Sequence, residues 1–307
     1  MDVAIMLEGQ QGLNWARLER LARAAEELGF AGLYRSDHFV DPAPPDHDSL
    51  EQWVSLALLA SHTRRIDFGP LVSPVSFRDP VMTARMAAAV DDLSGGRLHL
   101  GLGAGWNERE HTMFGYHLLD TGPRFARFAE GLEVVTRLLR ADGPVDLQGD
   151  YYQLRGARLL PRPRRPGGPP IVIGGNGERR TLPLVARYAD EWNGVFLTPE
   201  RFAALSARLD RLLAEQGRPP QAVRRTLMTG IVFDERRAAV EQAAAAHGQT
   251  PDELRARGMV VGDGAAVREQ LAALEAAGVQ RVMLQWLALD DLAGLEALAR
   301  ALEPLRR

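Results

Sequence analysis

Four short stretches carry residue types able to do chemistry, and each lies at the end of an apolar run. In the first, Arg35-Ser36-Asp37-His38, a carboxylate adjoins an imidazole. At a strand end that pair can set a proton donor or acceptor over a bound ring. A second reading stays open: neighbours on a strand point to opposite sides, so Asp37 could cap a loop or His38 could pack. The second stretch, Gly69-Pro70-Leu71-Val72-Ser73-Pro74, places two prolines where a bulge, a cis peptide or a plain turn would sit. A kink there would bring Pro70, Leu71 and Ser73 up to a flat ligand. The third is Gly101-Leu102-Gly103-Ala104-Gly105-Trp106-Asn107-Glu108. Its alternate glycines clear side chains from the path of a planar ligand, or serve closure of the sheet. Trp106 then offers an aromatic surface, and Glu108 or Glu110 a carboxylate. The fourth, Gly174-Gly175-Asn176-Gly177 ahead of a helix-period segment, aims free N–H groups at an anion such as phosphate.

The elements that must position these residues repeat along the chain. Apolar runs at 3–7, 32–35, 66–72, 97–102, 171–174, 191–196, 226–233 and 281–286 alternate with helix-period segments at 15–28, 49–61, 81–93, 124–140, 178–188, 199–216, 235–247 with 265–277, and 292–302. Strand–helix alternation implies parallel βαβ units. Eight such units close into a (β/α)8 barrel, here one domain over 1–307, with a doubly wound open sheet as the rival. No early Gly-x-Gly-x-x-Gly follows the first run, which weighs against that rival. Gly29 and Gly278 stand where helices should end. Segments 40–48, 107–122 and 145–170 break the pattern as insertions after strands two and four and before strand five. The last reads as a hairpin (145–147 with 151–154) and a Pro/Arg-rich loop. Insertions at strand C-termini are where a barrel builds its site.

Absences narrow the chemistry. Cysteine is absent, which removes disulfides, thiolate metal sites and thiol nucleophiles. All 37 basic Lys/Arg positions are arginine. Without lysine there is no Schiff-base aldolase, no internal lysine for pyridoxal phosphate and no Walker-type phosphate loop. The seven histidines include no His-Glu-x-x-His, and Gly-x-Ser-x-Gly is missing, so neither a metal site nor a serine triad is expected. Glu108-Arg109-Glu110-His111 reads as a solvated helix start. A net charge of −3 without a basic stripe points to neither nucleic acid nor membrane as partner. The acidic start, with its short apolar run, does not read as a signal peptide, so a cytoplasmic protein is expected.

Taken together, these positions resemble the luciferase-like family of flavin-type oxidoreductases, and within it the F420-dependent branch. The likeness spans about residues 2 to 290. It rests on Ala25-Glu26-Glu27-Leu28-Gly29-Phe30, Ser36-Asp37-His38, Thr63-Arg64-Arg65-Ile66-Asp67-Phe68-Gly69, Leu93-Ser94-Gly95-Gly96-Arg97, the glycine run to Trp106, and Ile173-Gly174-Gly175 with Ala186-Arg187-Tyr188-Ala189-Asp190. The resemblance implies that Asp37 contacts the deazaflavin and that His38 is an acid/base beside it. It implies a non-prolyl cis peptide at Pro70–Leu71 behind the ring, a backbone-lined stretch at Ala104, Gly105 and Trp106, and a phosphate loop at Gly174, Gly175 and Asn176. The chain departs from the pattern at Pro70, often small and polar in relatives, and at Trp106, which is Glu in some. Relatives that oxidise sugar phosphates grip the phosphate with lysines, absent here. The implied chemistry is hydride transfer at the ring, with His38 or Glu108 handling the proton of an activated C=C, C=N or C=O group. FMN with O2, as in a monooxygenase, is the nearest alternative; a non-catalytic flavin-binding protein or a non-redox barrel lyase is the alternative of another class. F420 has the longer acidic tail, which the arginines of 155–165 would suit, with a merely solvated segment as the other reading. The implied partners are a small-molecule substrate and a separate F420 or flavin reductase, and a homodimer is expected.

Overall fold

A computed structural model describes residues 1–246 and 248–303; His247, the expected end of one helix, and residues 304–307 lie outside it. Along the chain, β1 (Asp2–Leu7), α1 (Trp15–Glu27), β2 (Gly32–Arg35), α2 (Gln52–His62), β3 (Asp67–Pro70), β4 (Ser73–Pro74), α3 (Pro80–Ser94) and β5 (Leu100–Gly103) come first. Then follow α4 (Glu108–Phe114), α5 (Thr121–Arg140), a hairpin of β6 (Val145–Gln148) and β7 (Gln153–Ala157), β8 (Ile171–Gly174), α6 (Thr181–Tyr188), β9 (Glu191–Val195) and α7 (Pro199–Glu215). The last part holds β10 (Arg224–Phe233), α8 (Arg237–Ala246), α9 (Pro251–Ala256), β11 (Val260–Gly262), α10 (Gly264–Ala276), β12 (Arg281–Gln285) and α11 (Leu292–Leu302).

The main sheet runs β3-β2-β1-β12-β10-β9-β8-β5-β4, every pair parallel. Its two ends meet: the Phe68 amide donates to the Arg97 carbonyl at 3.1 Å, and the Phe68 carbonyl accepts from the His99 amide at 2.8 Å. β3 and β4 are two halves of one stave, the second pairing Ser73 with Leu102 and Pro74 with Gly103. The expected barrel of eight staves is therefore present. Strand alternation sorts the side chains. Val3, Ile5 and Leu7 join the apolar layer under the helices, while Ala4 and Met6 turn inward to meet Tyr34, Leu71, Val172 and Met283. Gly29 and Gly278 take φ of 76° and 98° and end α1 and α10 as expected. No helix among the described residues is long and apolar enough to cross a membrane.

Two details differ from the sequence expectation. The strand β11 and helix α9 were not foreseen; they close a small second core of Val232, Val240, Ala244, Leu254 and Val261. A three-residue strand is too short to show a period. The non-prolyl cis peptide falls at Leu71–Val72, one bond later than Pro70–Leu71. The reason is pairing: Pro70 is still in register with Arg35, and the Leu71 amide still donates to the Arg35 carbonyl at 2.7 Å. The chain leaves the ladder only after Leu71.

The β5 glycines answer to this bulge. A Cβ on Gly101 would sit 2.0 Å from the Pro70 carbonyl oxygen, and one on Gly103 would sit 2.5 Å from the Val72 Cγ2. They make room for the neighbouring stave first, the closure reading of the glycine pattern. Gly101→Ala must push backbone rather than a flexible side chain, so it should lower unfolding stability by about 1–3 kcal/mol. An unchanged urea midpoint would show that the β3–β4 stave can shift freely.

Candidate active site

The C-terminal ends of the staves form a polar mouth. His38, three residues beyond β2, projects its Nδ1 to the Glu110 Oε1 at 2.9 Å, and the other Glu110 oxygen accepts from the Phe39 amide at 3.0 Å. Glu110 is 1 % exposed on α4. A carboxylate accepts only, so Nδ1 carries the hydrogen and Nε2 is left without one. Burial disfavours the imidazolium, but the Glu110 hydrogen bond and charge, with Glu8 and Asp37 behind, outweigh it and raise the His38 pKa. Trp106 stands edge-on to His38, ring centroids 5.3 Å apart, and is 59 % exposed.

Asp37 is buried and points away from that partnership. It accepts from the Ser73 hydroxyl at 2.9 Å and forms an ion pair with Arg78, which also reaches Glu51 at 2.5 Å. Asp37 and Ser73 thus tie the ends of β2 and β4 together. Behind them Arg35 is buried against neutral partners, donating to the Ser36 and Leu50 carbonyls and to the Ser55 hydroxyl. Burial pushes its guanidinium down to about 10, with Asp37 and Glu51 opposing. A Cβ on Gly9 would strike that guanidinium at 2.3 Å, so Arg35 also fixes the turn after β1. On that turn Glu8 receives the Gln285 amide at 2.6 Å and the Gln10 amide at 3.1 Å.

The insertion after β5 is held down from several sides. His111 Nδ1 donates to the Asn107 carbonyl at 2.7 Å, leaving Nε2 to accept the Ser76 hydroxyl at 2.7 Å. Phe39 stacks on Phe77 at 4.5 Å, and Phe114 and Tyr116 close on the same pair at 5.1 and 4.9 Å. Ala104 and Gly105 are half-buried backbone beside this cluster. Glu108, expected as a proton carrier, is instead exposed on the far side of α4, in a cleft with Tyr116, His117 and Arg124. Two residues further on, the helix turn brings Glu110 to His38.

After β8 the loop Gly174-Gly175-Asn176-Gly177 is built on β9. Asn176 donates to the Val195 carbonyl at 2.7 Å and accepts its amide at 2.9 Å, while Trp192 donates to the Gly175 carbonyl at 2.9 Å. The Asn176 amide is therefore spent on shaping the loop. The loop lines a cleft of about 380 Å³ with Arg179, Arg180, Thr181, Phe125 and Arg201. Two arginines of the segment 155–165 are held elsewhere: Arg162 grips the carbonyls that end α5 and Arg165 pairs with Asp91 near the end of α3, at the opposite end of the barrel. The arginines at the mouth are others.

Sequence reasoning missed Glu8, Arg78 and Gln285. Glu8 had a readable sign, a carboxylate directly after the first strand; Arg78 reaches the site only through the fold.

A closed parallel barrel with its ionisable pair and its anion-type loop at the strand C-termini defines an enzyme-type (β/α)8 protein. Residues 1–249 match the luciferase-like monooxygenase family, and the chain belongs to it. It is similar to an F420-dependent glucose-6-phosphate dehydrogenase of Amycolatopsis mediterranei (strain U-32), 34 % identical over 176 residues, 56 % of this chain and 50 % of that one. It is also similar to the 4-hydroxyprotoasukamycin monooxygenase of Streptomyces nodosus subsp. asukaensis, 36 % identical over 159 residues, 52 % of this chain and 41 % of that one. The chain spans about half the length of these curated relatives. A solved F420-dependent secondary alcohol dehydrogenase, in complex with an F420-acetone adduct, has a TM-score of 0.86 at 20 % identity, covering 100 % of this chain and 99 % of that one. At that identity the likeness is one of fold.

Proposed function

We propose that this chain is an oxidoreductase that holds the deazaflavin F420 across the C-terminal mouth of its barrel and reduces or oxidises a small organic substrate there. The observation that carries the reading is His38, held by a buried carboxylate and flanked by an exposed tryptophan. The residues present fit such a cofactor. Positions 101, 103 and 174 present no side chains to the barrel top, where the half-buried Val72 rises from the bulge as a step. The loop after β8 and its arginine-lined cleft would take a phosphate. When bound, the ring would supply the hydride donor or acceptor. His38 would then give or take the substrate proton at Nε2, with Glu110 holding the ring plane and favouring the charged form. The insertions after β2 and β5, joined by the aromatic cluster, would keep water from the mouth.

FMN shares the ring shape and the first phosphate, and one relative of comparable identity is a monooxygenase. Exposed Arg179 and Arg180 beside the loop favour the longer acidic tail of F420. Titrating the protein separately with F420 and FMN, followed by absorbance, should show F420 bound, and bound more weakly by Arg180→Ala. Binding of FMN alone would overturn the F420 assignment; binding of neither would return the chain to the non-redox readings.

A further inference from the structure

We propose that the wall of the mouth formed by the ends of β9, β10 and β12 selects an uncharged, largely apolar, flat substrate; this rests on the oxidoreductase reading above. Phe196, directly after β9, is 37 % exposed and has a φ of 48°. Bulky side chains rarely enter that left-handed region, and such residues cluster at functional sites. Its amide donates to the Met228 carbonyl at 2.9 Å, which pins the backbone where it is.

Gly230 shows where the Phe196 ring goes. Strand alternation turns Thr226, Met228 and Gly230 inward, and Gly230 is in register with Gln285, the residue that reaches Glu8. A Cβ on Gly230 would lie 3.2 Å from the Phe196 Cε1 and 2.5 Å from the Met259 Cε. Both side chains therefore close over a bare inner position at the top of the barrel. Gly258 permits it, since a Cβ there would meet the Leu197 backbone at 2.7 Å and lift Met259 away. Past β12, Leu287 adds an apolar side chain that is 45 % exposed.

Polar side chains lie on the opposite side. Glu8, His38 and Asn176 follow β1, β2 and β8. The first arginines after β9 and β10, Arg201 and Arg236, pair with Glu178 and Asp234, and none follows β12 before Arg300. With no lysine in the chain, the first described arginine after each of these strands is already paired with a carboxylate, so a phosphorylated or carboxylated substrate gains no unpaired cation from them. An apolar ring would remove Phe196, Met259 and Leu287 from water instead.

Isothermal titration calorimetry with acetonaphthone and with glucose 6-phosphate tests this, on the protein alone and on protein saturated with F420 or FMN. Acetonaphthone should bind, and glucose 6-phosphate should not at millimolar concentration. Phe196→Asn, a residue type that tolerates the left-handed backbone, should weaken acetonaphthone about tenfold and leave cofactor affinity unchanged. Leu287→Ala, at an exposed position, should weaken it in the same direction. Tighter binding of glucose 6-phosphate than of acetonaphthone, or equal acetonaphthone affinity in wild type and both variants, would overturn the proposal. Absence of cofactor binding would count against the oxidoreductase reading alone, because the selectivity is read on the protein without cofactor as well.

Discussion

His38→Ala should lower kcat by roughly 10²- to 10⁴-fold, the usual worth of a positioned acid or base, and should leave cofactor binding at the wild-type level. The second half of that expectation follows from the geometry. The His38 side chain meets Glu110 and Trp106, while Ser73 and Arg78 are held by Asp37 and the loop after β8 by Asn176. Removing the imidazole therefore disturbs neither the bulge nor the anion-type loop. Unchanged turnover in a variant that still binds cofactor would remove His38 from the chemistry.

Glu110→Gln asks how the imidazole is tuned. Burial lowers the His38 pKa and Glu110 more than restores it, so wild-type His38 keeps its proton above the ordinary value of 6.5. In the direction in which His38 accepts the substrate proton, activity rises as pH climbs through that raised value. Glutamine keeps the shape and loses the charge, so the acidic limb should move to lower pH. Glu108→Gln should leave the profile in place, because Glu108 is exposed away from His38. A limb moved by Glu108→Gln and not by Glu110→Gln would reverse the assignment.

That pair of carboxylates shows where sequence reading stops. Strand–helix alternation gave all eight staves, because each buries an apolar run long enough to show its period. The four chemical stretches landed at strand C-termini for the same reason. Choosing between Glu108 and Glu110 needs the phase of a seven-residue helix that follows an irregular turn, and neither periodicity nor composition carries it. Likewise the glycines of β5 could be read as a ligand cradle or as packing until Pro70 and Val72 were placed against them. Phe196 was invisible, since nothing in Gly194-Val195-Phe196-Leu197 announces a positive φ at an aromatic residue.

The largest expected effect on stability lies at the other end of the barrel, where the inward positions are charged. Arg281, 2 % exposed, donates to the Tyr34 hydroxyl at 2.5 Å and to Asp67 at 2.7 Å, and stands 3.7 Å from Glu191. His99 bridges the same two carboxylates at 3.2 and 3.1 Å, and Arg224 reaches Asp2 at 2.5 Å. Burial opposes every charge here, yet the hydrogen bonds and charges of His99 and then Arg281 hold Asp67 and Glu191 below their ordinary values, and the two carboxylates hold His99 above its own. The carboxylates therefore stabilise the fold above their unfolded values and lose that contribution as pH falls through the folded ones. Charged His99 contributes fully below about 6.5 and fades as pH rises through its raised value. Arg281→Met leaves the two buried carboxylates sharing His99 as their remaining close cation, and breaking one side of such a cluster costs about 3–5 kcal/mol. The loss should be greatest near neutral pH and shrink toward pH of about 5, because without Arg281 the carboxylates take up protons more readily. Urea unfolding at both pH values measures it. A loss below about 1 kcal/mol at neutral pH, the range of an exposed pair, would mean that the floor of the barrel relaxes or admits water when the guanidinium is gone.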